Sequence, residues 1–364
     1  MRVPFVSLKR VFELYKEEYE EAMMRALRSG WYILGEELES FEAEFAEYLG
    51  IAHCVGVGCG QDALTLAIRA LGIGPGDEVI VAGNTYIATV LGVTENGAMP
   101  VFVDCNEWFQ LDETKVEGAI TDRTRAVLTT NLYGQCCNLT ALRSICDAHG
   151  IYLVEDCAQS HGARFDGRLG GTVGDVSCFS FYPTKPLGAF GDGGACVTDD
   201  PALAERIRML RNYGSREKYV NEITGTNSRL DEVQAAVLRV GLGHLEELGN
   251  WRLRIAERYL DEITNPLVTL PKTRDGASHV YHIFAILCER REELRSHLES
   301  QGVMTQIHYP IPPHVAKCYE GEPFVMGVNL RETERFAAQE LSLPIYAGMP
   351  DAEVEAVIRA VNRF

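Results

Sequence analysis

Ile151-Tyr152-Leu153-Val154-Glu155-Asp156-Cys157-Ala158-Gln159-Ser160-His161-Gly162 is the stretch that decides the fold. Its apolar run, 151–155, reads as a buried strand of a parallel sheet, and it ends on an acid. Comparable runs recur at 53–57, 78–82, 100–103, 125–129, 175–181 and 193–198. Between them lie helix-like segments at 62–71, 87–96, 112–119 and 139–149. Strand, helix, strand at this pitch predicts parallel βαβ units and an α/β sheet covered on both faces. Turn chemistry punctuates the pattern, as in Gly74-Pro75-Gly76-Asp77 before the run at 78–82.

Further along, 201–211 reads as a helix, 212–226 as a polar loop, and 231–248 and 251–263 as two more helices. From about residue 265 the pattern changes to a smaller α+β unit: strands at 280–288 and 303–306, helices at 292–301, 331–341 and 351–361. The expected division is a large α/β domain over 1–250, with a helical N-terminal arm, and a small C-terminal domain over 251–364.

The 364 residues are 46% hydrophobic, enough for a large buried core. The charge, 34 − 52 = −18, disfavours nucleic acid as a partner, although local amides and cations can still hold a single anionic ligand. No run of about 18 apolar residues predicts a membrane span. The charged opening segment lacks the apolar core of a signal peptide. The 11 cysteines are irregularly spaced, form no Cys-x-x-Cys pair and suit no zinc site. They are read as buried free thiols, which places the chain in the reducing cytoplasm.

Asp156 stands where ligands of open α/β sheets gather, at the carboxyl end of a strand. An acid there can pair with a protonated pyridine nitrogen and keep that ring cationic. Lys185 follows another strand in Ser180-Phe181-Tyr182-Pro183-Thr184-Lys185 and is trailed by Gly188 and Gly191-Asp192-Gly193-Gly194, a backbone that must turn tightly or approach something closely. Small Ala158 would let a flat ring lie near the backbone, and Gln159 could donate to a phenolic oxygen. His161 reads at least as well as a structural histidine. In Gly56-Val57-Gly58-Cys59-Gly60-Gln61-Asp62, the amides of Gly60 and Gln61 open a helix and suit a phosphate. Ser180 could add a hydroxyl, and Tyr86 could stack on the ring. Alone, each has an ordinary alternative: a solvated lysine, a capping aspartate, a core tyrosine. Together they follow successive strands on one edge of one sheet. Neither a Walker pattern, a full dinucleotide fingerprint nor a Gly-x-Ser-x-Gly elbow occurs.

The motifs Gly30-Trp31-Tyr32-Ile33-Leu34-Gly35, Glu155-Asp156-Cys157-Ala158-Gln159, Ser180 to Lys185, Asn227-Ser228-Arg229-Leu230-Asp231-Glu232-Val233-Gln234 and Ile307-His308-Tyr309-Pro310 resemble those of the DegT-type nucleotide-sugar aminotransferases. The resemblance covers essentially the whole chain. It implies an α/β fold of the aspartate-aminotransferase type (fold type I) that binds pyridoxal 5'-phosphate, with pyridoxamine 5'-phosphate as its alternate form. It implies Lys185 as the lysine that holds the cofactor, Asp156 on the pyridine nitrogen and Gln159 near the phenolic oxygen. Tyr86 would lie over the ring, with Gly60, Gln61 and Ser180 on the phosphate. Asn227 matches a residue that reaches the phosphate from a neighbouring subunit, so a homodimer with shared sites is implied. Gln61 departs from the threonine or serine often found there; an amide contact survives that change. Lysine at 185, rather than histidine, argues against the family's dehydratase branch.

The implied reaction moves an amino group from L-glutamate to a nucleotide-linked keto-sugar, with the freed lysine as general base. The segment after Lys185 resembles members that aminate carbon 3, and the expected acceptor is a dTDP-3-keto-6-deoxyhexose. A UDP-3-keto-uronate or a 4-keto sugar is the competing acceptor, and a regulator that binds cofactor and sugar without turnover is the reading from another class. Tyr182, Arg229, His308 and Tyr309 are the candidates for sugar contact.

Overall fold

A computed structural model describes residues 2–364. An N-terminal arm carries α1 (Leu8–Leu14), α2 (Lys16–Ser29) and α3 (Glu36–Leu49). The sheet region then runs β1 (His53–Val57), α4 (Gly60–Ala70), β2 (Glu78–Ala82), α5 (Ile87–Thr94), β3 (Met99–Val103), α6 (Glu113–Val116) and β4 (Thr124–Thr130). It continues with α7 (Leu139–His149), β5 (Tyr152–Asp156), the short β6 (Arg164–Phe165) and β7 (Arg168–Leu169), β8 (Val176–Ser180) and β9 (Gly194–Thr198). Next come α8 (Pro201–Arg211), β10 (Ser215–Glu217), β11 (Val220–Asn221), α9 (Glu232–Gly243) and α10 (Leu245–Glu262). The chain finishes with β12 (Phe284–Leu287), α11 (Arg291–Ser300), α12 (Arg331–Gln339), β13 (Glu340–Leu343) and α13 (Asp351–Asn362).

The central sheet has the order β1-β9-β8-β5-β4-β2-β3. Its pairs are parallel except those of β9, which runs antiparallel to both β1 and β8. The sheet is thus mostly parallel, as expected of this fold class. The reversal is local, so β1 still points the same way as β8, β5, β4, β2 and β3, and the carboxyl ends of all six meet on one edge. Alternate residues feed opposite faces, as the pleat requires. Val79 and Val81 join one buried cluster with α4 and α5, while Ile80 and Ala82 join another beneath α7. Full burial of each such valine or isoleucine stabilises the fold by roughly 1.5–3 kcal/mol.

Four expectations about individual elements are corrected. The helix read over 231–248 is broken at His244, whose backbone leaves the helical region (φ −110°, ψ 9°); Gly241 and Gly243 weaken the preceding turn, and the His244 ring stacks on Tyr15 at 3.7 Å. The strand read over 303–306 makes only isolated bridges, Val303 with Val3 and Gln306 with Ser342. The partner of β12 is instead β13, the end of a stretch read as helix to 341. Leu341 and Leu343 both enter the C-terminal core, and four residues are too few for periodicity to separate strand from helix. The loop at 212–226 also holds the small β10–β11 hairpin. The expected division after residue 250 falls inside α10.

Candidate active site

The strand ends on the common edge surround a cavity of about 550 Å³. Gly60, Gln61, Tyr86, Asp156, Gln159, Ser180, Tyr182, Lys185, His308 and Tyr309 all line it. Ten of the twelve residues singled out from sequence therefore converge. Asn227 and Arg229 do not: they line an adjoining cleft with Asp62 and Asp231, which shares Cys59 and Asp192 with the cavity. There Arg229 donates to the Asn212 amide oxygen at 3.2 Å and lies over the Tyr213 ring.

Asp156 ends β5 and is 5% exposed. One oxygen accepts from the Thr89 hydroxyl at 2.7 Å and the other from the Ala158 amide at 3.1 Å. Behind Thr89 a chain of hydroxyls runs through Thr85 (2.7 Å) to Thr130 (2.9 Å). Burial pushes the Asp156 carboxyl up from its ordinary value, against the Thr89 and Ala158 hydrogen bonds and the nearby Lys185 charge. A protonated ring nitrogen in the cavity would supply the cation this carboxylate is short of.

Lys185 sits in the loop between β8 and β9. The loop is closed by backbone bonds from Lys185 N–H to the Tyr182 carbonyl and from Ala189 N–H to the Phe181 carbonyl, each 2.8 Å. Gly188 is required here, because a Cβ would come within 2.5 Å of the Pro183 carbonyl oxygen. Among the described residues no group is hydrogen-bonded to the Lys185 amine. Burial draws its pKa down to about 8, opposed by the Asp156 charge, so a useful share of the amine is neutral near neutral pH.

Gly60 and Gln61 open α4, where the first amides have no carbonyl partner within the helix. A Cβ on Gly60 would lie 2.5 Å from Ser180 Cβ, so glycine lets the helix start close against the end of β8 and brings the Ser180 hydroxyl beside these amides. This cradle fits a phosphate group. The Gln61 side chain turns away, donating to Glu95 at 2.8 Å, so only its amide is available to the cradle. Tyr86, 53% exposed, stands at the mouth with its ring centroid 5.1 Å from that of Tyr309.

Gln159 accepts from the Tyr133 amide at 2.7 Å and donates to the Tyr309 hydroxyl at 3.0 Å. Its Nε2 keeps a second hydrogen for the cavity. Burial holds the Tyr309 hydroxyl well above its ordinary pKa. His308 is fixed from behind: its Nδ1 lies 2.8 Å from Ser342 Oγ and its amide donates to Glu340 at 2.6 Å. Burial brings the imidazole down to about 4 and lifts the Glu340 carboxyl to about 8. His161 does not line the cavity; it is packed on Phe179 and Phe181, with burial lowering it to about 3.

The remaining motif residues build the frame. Glu232 accepts from the amides of Gly35 (2.8 Å), Glu37 (2.8 Å) and Leu38 (3.2 Å) at the start of α3. Ser228 accepts from the Gly58 amide at 2.9 Å and donates to Asp62 at 2.6 Å. Sequence reasoning missed Thr89, which had no signal beyond lying near Tyr86, and also the lining residues Arg252 and His282. Arg252 had a signal: it shares one helical face with Leu248, Ile255, Ala256 and Tyr259, an arginine on an apolar stripe.

Comparison with known proteins agrees with this geometry. A family profile described as the DegT/DnrJ/EryC1/StrS aminotransferase family matches residues 13–362. The chain is 52% identical over 365 residues to a dTDP-3-amino-3,4,6-trideoxy-alpha-D-glucose transaminase of Streptomyces venezuelae, covering 100% of this chain and 96% of that protein. It is 46% identical over 366 residues to a dTDP-3-amino-3,6-dideoxy-alpha-D-galactopyranose transaminase of Aneurinibacillus thermoaerophilus, covering 100% and 99%. The crystal structure of S. venezuelae DesV in complex with a ketimine intermediate superposes with a TM-score of 0.97 at 52% identity, covering 100% of this chain and 98% of that one.

Proposed function

The chain belongs to the DegT/DnrJ/EryC1/StrS aminotransferase family, and from that premise we propose that it aminates carbon 3 of a dTDP-linked 3-keto-6-deoxyhexose with L-glutamate as donor. The enzyme class is that of a pyridoxal-phosphate-dependent sugar aminotransferase, and the cofactor is pyridoxal phosphate with its pyridoxamine form. The observation that carries the substrate is the pair of relatives at 52% and 46% identity, both named for an amino group at carbon 3 of a dTDP-deoxyhexose.

When bound, pyridoxal phosphate supplies an aldehyde for the amino group and a ring that stores the electron pair left at the donor's α-carbon. Gly60, Gln61 and Ser180 would hold its phosphate, Asp156 its ring nitrogen, Gln159 its phenolic oxygen and Tyr86 its face. Lys185 Nζ, neutral for part of the time near pH 7, takes up the proton that leaves the donor's α-carbon. In the second half it returns a proton to carbon 3 of the sugar. Asp156, ionised opposite a cationic ring, holds that ring's proton in place. Tyr182, 52% exposed at the mouth, together with His308 and Tyr309, would meet the sugar. The test is spectral: L-glutamate should bleach the yellow protein, and only dTDP-3-keto-6-deoxyhexose from a panel of nucleotide keto-sugars should restore the colour. Restoration by a UDP-keto-uronate or a 4-keto sugar instead would sink the acceptor.

A homodimer completes this reading, because Asn227 and Arg229 do not line the cavity of their own chain but an adjoining cleft, from which they would serve a partner's. Sedimentation at the 40.4 kDa of one chain would remove that part. The small unit over 251–364 is proposed to close the cavity's far wall with His282, His308 and Tyr309. Among the described residues no helix is long and apolar enough to cross a membrane. The 11 cysteines, all free, suit a reducing cytoplasm.

A further inference from the structure

Arg252 projects from the apolar face of α10 and is 6% exposed. Among the described residues it has no carboxylate partner. Its Nε has no hydrogen bond, and one Nη reaches only the Leu248 carbonyl of its own helix at 3.4 Å, a long contact. A guanidinium keeps its proton in a protein, so this is a buried positive charge left without a counter-ion, an arrangement that folded chains avoid unless a ligand completes it. Burial draws its pKa down to about 10 with nothing opposing it, as expected for a cation short of an anion.

The same side chain lines the reaction cavity with Lys185, His282 and His308. It also lines an adjoining cavity of about 440 Å³ next to Thr184 and Lys185, so it stands on the lysine's side of the site. His282 Nδ1 and both ring nitrogens of His161 are buried without partners as well. After burial, the charges of Lys185 and Arg252 push both imidazoles down. Asp156 and Asp192 both line this cavity, but Asp156 is already bound to Thr89 and Ala158, and among the described residues Arg252 hydrogen-bonds only to the Leu248 carbonyl. Arg252 therefore faces the cavity beside Lys185 with no anion paired to it.

We infer that Arg252, with His282 beside it, seats a carboxylate of the amino donor. The inference rests on the reading of the chain as a glutamate-dependent aminotransferase. The phosphate of the cofactor has its own cradle at Gly60, Gln61 and Ser180. The phosphates of a nucleotide sugar lie several bonds from the reacting carbon, and Arg252 is buried at the reacting end. A planar guanidinium fork matches a carboxylate with two parallel hydrogen bonds, and the neutral His282 ring adds a third contact without a competing charge.

The test follows the donor half-reaction of the holoenzyme by its visible spectrum, with L-glutamate and separately with L-glutamine. Arg252→Gln should raise the apparent Kd for L-glutamate by roughly 30-fold or more, the scale for stripping one partner from a buried charge pair. Its Kd for dTDP, measured by calorimetry, should stay unchanged. An equal loss with L-glutamine assigns the α-carboxylate; a loss confined to L-glutamate assigns the distal one. Either supports the seat. An unchanged L-glutamate Kd, or an equal weakening of dTDP, overturns it. Arg252→Lys keeps the charge but not the fork and should fall between the two. Should neither variant fold, wild-type enzyme decides: glutarate must compete with L-glutamate while its diamide does not, and absence of competition by glutarate overturns the seat. A wild type that L-glutamate never bleaches refutes the parent reading instead.

Discussion

Replacing Lys185 with alanine is expected to lower kcat at least ~10⁴-fold, since on the proposed mechanism the substitution removes both the covalent anchor and the proton carrier. The fold should survive. Lys185 makes no side-chain hydrogen bond among the described residues, and its loop is closed by the backbone bonds at Tyr182 and Phe181. Deleting a cation that burial disfavours should leave the melting temperature unchanged or raise it. The same amine sets a pH dependence. Burial has lowered it to about 8, so below that pH it is protonated and unreactive, and above it neutral and nucleophilic. Reaction of the cofactor-free protein with an amine-directed reagent should rise through pH about 8 at one site absent from the alanine variant. A single rise near the ordinary lysine value of ~10.4 would show the amine is not desolvated. Activity retained by Lys185→Ala would remove the residue from the chemistry.

Asp156→Asn is the second large effect. Asparagine preserves the shape, and its one carbonyl oxygen can still accept from the Ala158 amide while its NH2 donates to the Thr89 hydroxyl, but it has no charge with which to hold a proton on a ring nitrogen. The variant should lose about two to four orders of magnitude in kcat, matching roughly 3–5 kcal/mol for a buried charge pair broken on one side. Cofactor affinity should fall with it, read by equilibrium dialysis of the coloured protein. Thr89→Val should reproduce a small part of this loss, because the Thr89 hydroxyl only orients one carboxylate oxygen. Equal losses for the two variants would mean that Asp156 acts through its hydrogen-bond network and not through its charge.

The sheet was legible because its signal is local. Each of the seven strands is a short apolar run bounded by turn residues, and each was placed to within a residue or two at either end. The reversal of β9 was not legible, since a five-residue buried strand carries no mark of its direction. The end of α12 was misread for a similar reason: Glu340–Leu343 becomes a strand only because Phe284–Leu287 lies beside it.

The sequence by itself determined the edge of the sheet on which the cavity lies, and with it the placement there of Lys185, Asp156, Gln159, Ser180 and the Gly60–Gln61 turn. Those residues are tied to strand ends, so their position follows from the strand order along the chain. Tertiary structure alone decided which side chains from distant segments complete the cavity. Thr89 reaches Asp156 only through the packing of α5 against α4, β2 and β3. Arg252 lies far along the chain from Lys185 and meets it only because α10 lays its apolar face across the junction of the two cavities. Spacing along a chain encodes contacts within one element and its neighbours. A charge buried from another helix is placed by packing, and a single sequence records it only as an arginine out of character with its stripe.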